Sequence, residues 1–246
     1  MDNIIISENK TVAIHQPNFL PWLGYFYKIA NCNQFVILDN VDFQQGNLTS
    51  LTNRTKIKCS GQAHYFTISV KKGDSKLIKD ICVDKFATRI DKQIRTIQLN
   101  YAKSPFFKEM FPLFNQVLLE SMKFDLMNDL NEYLIKFICN ILEIKTPIIR
   151  ASELKIQTSD RNERIIEICK ALSSKIYFSG NGGRKYHDEG LFNRNGIEIK
   201  YTDFIQGEYK QVGNNFIPGL SIIDVLFNCG ISKIQNKLHE KFSKLL

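Results

Sequence analysis

A chain of 246 residues, 43% hydrophobic and 24% charged, reads as globular, is long enough to bury a full core and fits one large or two small domains. Its apolar runs are too short for a bilayer span, and the polar stretch Met1 to Thr11 lacks the basic start and apolar run of a signal peptide, so the expected location is the cytoplasm. The formal charge of +8 comes from 33 basic and 25 acidic residues spread along the chain, with no zinc-finger, helix-turn-helix or RNP pattern; this points to a small anionic ligand rather than nucleic acid.

Val12 to His15 and Gln34 to Asp39 are short β-branched or aromatic runs with the look of buried strands. Between them Leu20, Leu23, Tyr27 and Ala30 repeat at helical spacing, with Pro21 in the first turn. Residues 13 to 43 thus have the length of one βαβ unit. His15, Gln16 and Asn18 fall at the carboxyl end of the first strand, where open α/β sheets bind ligands. An imidazole there can move protons near neutral pH, and the two amides can read hydroxyls. The structural alternative is a helix-capping Asn18 and a core His15.

Asp39, Asn40 and Asp42 follow the second strand, and Asn53, Arg54, Lys56 and Lys58 come soon after, so carboxylates and cations are available for proton handling and phosphate binding. Lys56 to Lys58 and His64 to Lys71 read as strands around Ser60-Gly61-Gln62, and Asp80 to Val83 as a third. Phe86 to Tyr101, Pro105 to Ser121 and Phe124 to Ile144 carry apolar residues every three or four positions, which predicts a helical insertion or second lobe over 86–145.

Ile148–Ile149 and Lys175 to Ser179 are further strands, with a helix over Arg161 to Leu172. Ser179-Gly180-Asn181-Gly182-Gly183-Arg184-Lys185-Tyr186 follows as a glycine-rich turn able to converge backbone N–H groups on a phosphate, although it matches neither the Walker nor the Rossmann spacing. A helix near Asp188 to Arg194, a strand over Glu198 to Tyr201 and a helix from Pro218 to Gly230 come next. Ser221, Asp224 and Asn228 share one face of that last helix, and we expect Asp224 to orient another site residue. Ile231 to Leu246 reads as an amphipathic helix that docks or mediates a homo-oligomer contact. Cys32, Cys59, Cys82, Cys139, Cys169 and Cys229 form no Cys-x-x-Cys pair, so free thiols and no metal site are expected.

The block Ile14-His15-Gln16-Pro17-Asn18-Phe19-Leu20-Pro21-Trp22-Leu23-Gly24-Tyr25-Phe26 with Lys28, the run Val36-Ile37-Leu38-Asp39, the pair Asn53-Arg54, the glycine turn and Leu220 to Gly230 resemble the WbqC-like family of bacterial proteins. The resemblance implies a single domain over 1–246 and an association with surface-polysaccharide (O-antigen) biosynthesis. It also implies a shared pocket of His15, Gln16, Asn18, Trp22, Asp39, Arg54, Arg184, Tyr186 and Asp224. Trp22-Leu23-Gly24-Tyr25 is similar in spacing to the His-x-Gly-His segment of nucleotidylyltransferases, without its histidines.

The expectation is an α/β fold: a parallel or mixed sheet with flanking helices, a HIGH-like nucleotide-binding core and the helical lobe. The expected function is transfer of an acyl or aminoacyl group to a nucleotide-linked amino sugar, with an acyl donor or ATP as the co-reactant. His15, Asp39 and Asp224 serve catalysis; Gln16, Asn18, Trp22, Asn53, Arg54, Ser179, Gly182, Gly183, Arg184 and Tyr186 bind substrate. The alternatives are an ATP-dependent ligase, a glycosyltransferase and a non-catalytic sugar-nucleotide binder.

Overall fold

The computed structural model describes residues 10–44, 50–71, 73, 76–84, 86–202 and 204–238. In chain order the elements are β1 (Thr11–His15), α1 (Leu23–Ala30), β2 (Gln34–Ile37), β3 (Arg54–Cys59), β4 (Gln62–Thr67), α2 (Phe86–Tyr101), α3 (Phe107–Glu120), α4 (Met127–Ile141), β5 (Ile148–Arg150), α5 (Arg161–Ala171), β6 (Ile176–Ser179), α6 (Glu189–Arg194), β7 (Glu198–Tyr201), α7 (Ile222–Cys229) and α8 (Ile231–Leu238). The fold is α/β, as expected. The chain divides into two compact units, the first within Met1–His15, Lys28–Leu38 and Thr146–Asp203, the second within Gln16–Tyr27, Asp39–Lys145 and Phe204–Leu246.

The first unit holds a five-stranded sheet of order β5-β2-β1-β6-β7, in which every pairing is parallel. Alternation along the strands puts Val12, Ile14, Val36 and Tyr177 on one face, packed with Ile165, Ile166, Ile168 and Cys169 of α5 and Phe192 of α6. Ala13, Phe35 and Ile37, on the other face, are also fully buried, as both faces of a parallel sheet must be. Asp160 starts α5 by accepting from the N–H groups of Asn162 and Glu163, and Asp188 starts α6 by accepting from Leu191.

In the second unit β3 and β4 form an antiparallel hairpin. Ser60 and Gly61, with φ of 50° and 79°, make the two-residue turn whose twist matches the strands. The three long helices lie in this same unit, where Phe107 and Phe114 of α3 and Tyr101 of α2 ring Phe227 of α7 at centroid distances of 6.0, 5.5 and 5.2 Å. Met127, Leu130, Leu134, Ile135 and Ile138 form the buried stripe of α4.

Several boundaries differ from expectation. The first helix begins at Leu23 rather than in the turn of Pro21, because Leu20 takes a φ of 41° and Trp22 makes an extended bridge to Ser221. Asp80 to Val83 is not a strand: Ile78–Asp80 is a 3-10 turn, and only isolated bridges, Val70 to Val83 and Cys82 to Leu126, follow. The terminal helix is described to Leu238; the remainder of the expected element, with Phe242 and Leu245, lies outside the described residues. Among those described, no helix is long and apolar enough to cross a membrane, and no group of His, Cys, Asp or Glu is placed to hold a metal ion. All six cysteines are free.

Candidate functional site

Taken in chain order, the five parallel strands run third, second, first, fourth, fifth across the sheet. The order therefore reverses between β1 and β6, and the crevice outside the carboxyl ends of two such strands is where open α/β sheets take ligands. Register aligns Ala13 with Phe178, so two residues on, His15 and Gly180 stand at the same level of the carboxyl edge. The His15 turn and the glycine-rich turn, distant in sequence, are brought to neighbouring strand ends.

The glycine-rich segment does not form an open loop. Asn181–Lys185 winds into a 3-10 turn in which the Gly183 N–H donates to Gly180 and the Tyr186 N–H to Gly183. A side chain at Gly180 or Gly182 would meet nothing, whereas a Cβ on Gly183 would lie 2.5 Å from His187 Cε1 and 2.6 Å from Ser179 Oγ. Gly183 is thus required by the close approach of an imidazole and a hydroxyl. Ser179 is buried at the end of β6 and donates to the Gly180 carbonyl. Arg184 is exposed, its guanidinium 4.0 Å over the Tyr201 ring, and Arg161 lies 4.8 Å over exposed Tyr186.

His187 was not among the residues expected from sequence. Its Nδ1 is 3.2 Å from the Tyr201 hydroxyl, and that hydroxyl donates to Glu189 Oε1 at 3.0 Å. A phenol has one proton, and Glu189 receives it, so the Tyr201 oxygen accepts from Nδ1–H and the lone pair of His187 rests on Nε2. Burial holds the imidazole below its ordinary pKa, helped by the charges of Lys28 and Arg161 and opposed by Glu189. A neutral, oriented imidazole of this kind is equipped to accept a proton.

Lys28, the second residue that sequence reading left unassigned, is only 4% exposed on α1. Its ammonium donates to the Ile14 carbonyl at 2.8 Å. His15 O accepts from Leu38 N–H on the β2 side, so by strand alternation Ile14 O points toward β6, at the level where the β1–β6 pairing has ended. The lysine therefore caps a carbonyl in the gap where the two strands part. Desolvation lowers its pKa to about 8.

The remaining expected residues belong to the second unit. Tyr25 donates to the Gln16 carbonyl, and Asn131 donates to the carbonyls of Pro17 and Thr52, which fixes the Gln16 to Asn18 turn; Asn18 itself is buried. Half-buried Trp22 folds its ring over Gly24, where a Cβ would be 2.3 Å from the indole, and meets Phe204 edge-on at 5.4 Å. The glycine of the Trp22-Leu23-Gly24-Tyr25 spacing is thus explained by local packing. Asn53 bridges to Ile68 in both directions, and Arg54 donates to the Ser50 carbonyl while lying 4.5 Å over Tyr65. Asp39 is 1% exposed, and its carbonyl accepts from Lys79.

Asp224 is fully buried, with Tyr209 donating to Oδ1 at 2.6 Å and Tyr101 to Oδ2 at 3.1 Å. Burial raises its pKa, against the two phenols and the charge of Lys58. The partners of the polar stripe on α7 are these phenols and, for Ser221, the Leu20 carbonyl. Asp224 acts as the centre of a packed network.

The sequence profile of the WbqC-like protein family matches residues 16–236. The chain is also 30% identical, over 224 residues covering 90% of it and 94% of the relative, to a protein of Mycobacterium tuberculosis (strain ATCC 25618 / H37Rv) described as the uncharacterized protein Rv1507c. No solved structure matches.

Proposed function

Because this chain belongs to the WbqC-like protein family, we propose that it is a transferase that acylates the amine of a nucleotide-linked sugar during surface-polysaccharide assembly. The observation that carries the reading is the reversal of strand order between β1 and β6, with His15 and Ser179 at the two strand ends and Arg184 and His187 in the segment that follows β6. Arg184 holds phosphate oxygens through its planar fork. An imidazole takes the proton as the sugar nitrogen attacks the acyl carbon: the C–N bond forms, the bond to the donor's leaving group breaks, and the proton passes to that group. His15 fills this role by its place at the strand end; His187 is the second candidate, on account of its Nδ1–H tautomer.

The test is incubation of the purified protein with nucleotide-linked amino sugars and acyl thioesters, followed by mass spectrometry. An N-acylated product supports the reading. Release of AMP or ADP from added ATP would indicate a ligase instead, release of a nucleoside diphosphate a glycosyltransferase, and binding without turnover a sugar-nucleotide carrier. His15→Ala and His187→Gln, assayed separately at saturating substrate, identify the base by a loss of about 10²- to 10⁴-fold in kcat.

A further inference from the structure

Lys28 carries a charge that the described residues of the first unit leave uncompensated. Among the described residues its ammonium bonds to the Ile14 carbonyl and forms no ion pair with a carboxylate. That bond uses one of three N–H donors. A buried cation is normally paired with an acid or stripped of its proton, and the desolvation lowering Lys28 to about 8 expresses that cost. The titratable groups coupled to it are Cys32, just past the end of α1, whose thiol burial pushes up to about 12, and His187 after β6; His15 follows Ile14 on β1. None of them supplies a negative charge at neutral pH.

The position of this ammonium is specific. It bonds to a carbonyl that points toward β6, beyond the last β1–β6 pair, at the strand-order reversal. We propose that Lys28 is a binding residue of this site, contacting an anionic oxygen of the ligand with its remaining N–H donors, and that the ligand group it selects is a phosphoryl-type oxyanion. This deepens the proposed function, since a nucleotide-linked sugar presents such oxygens in its diphosphate. The bound anion offsets the desolvated charge, so ligand binding draws a proton onto Lys28 whenever the free site is deprotonated.

The probes are UDP-glucose and inorganic sulfate, whose diphosphate and sulfate charges stay constant from pH 6.5 to 9, titrated calorimetrically into the full-length protein; sulfate, which has no base to ionise, controls for the uracil N–H near pH 9. Wild-type affinity is expected to be flat below pH 8 and to fall by up to about tenfold per pH unit above it. Lys28→Met should bind at least tenfold more weakly at pH 7 and show no such slope, while Lys28→Arg should retain affinity and lose the slope. If Lys28→Met fails to fold, the wild-type pH profile decides alone, since a lysine that merely caps Ile14 predicts none. Unchanged binding of both anions to folded Lys28→Met, or no binding of either to wild type at 10 mM, would overturn the proposal. A UDP-glucose affinity no better than that of sulfate, with the Lys28 dependence intact, would count against the nucleotide-sugar reading and leave the anion site standing.

Discussion

Lys28 and Lys58 are each 4% exposed, yet the two units treat them differently. Lys58, on β3, donates to Gln211 Oε1 and to the Asn215 carbonyl, and its charge acts on Asp224. Gln211 is itself fixed, donating to Tyr209 and Ile217 and accepting from the Ile217 N–H. The members of that network bond one another, which is how a buried polar cluster specifies a unique packing. Among the described residues Lys28 has one carbonyl and no acid. Burial of a polar group therefore identifies a site only after its partners have been counted: the compensated lysine belongs to the core, and the uncompensated one marks the sheet edge where an outside anion fits.

The comparison is tested most severely at Lys58. Lys58→Met would leave Asp224 and two acceptors without their cation, and chemical denaturation should show a loss of about 3 to 5 kcal/mol. A loss near zero would mean that Lys58 contributes no more than its stem. Tyr209→Phe should cost about 1 to 2 kcal/mol and raise the Asp224 pKa further, because one of the hydrogen bonds that lowers it is gone.

Lys28→Met should change stability at pH 7 by about 1 kcal/mol or less, since removing a desolvated charge offsets the loss of one bond to Ile14. Its pH dependence is the sharper measure. The folded pKa of about 8 lies below the ordinary 10.5, so between those values the unfolded chain binds more protons and wild-type stability rises with pH. The variant should lose that rise. The smallest effect is expected at His187, also lowered on folding: wild-type stability should decline as pH drops below 6.5, and His187→Gln should flatten the decline.

Much of this was legible in the chain. Strand runs such as Val12 to His15, the stripe of α4 and the turn at Ser60-Gly61 follow from periodicity and backbone preference, which are local properties. The position of His15 at the carboxyl end of the first strand was legible from the run Val12 to His15. What stayed hidden depends on partners far away. Lys28 reads as one polar position on a short helix until its burial is known, and Asp224 gains its meaning from Tyr101, more than a hundred residues earlier. Gly183 was read as freedom for a phosphate cradle, but its lack of a side chain is required by His187, which the sequence marked only as one of four histidines.

The pairing of Thr11 with Ile176 has a kinetic consequence. The middle strand of the sheet is synthesised well before its β6 neighbour and waits for it, with the whole Asp39–Lys145 segment emerging in between. Loop closure over such a distance is slow, and an unsatisfied strand edge invites intermolecular pairing. Nascent chains halted before residue 176 should thus be protease-sensitive around β1 and depend on a chaperone, acquiring resistance only once β6 has left the ribosome.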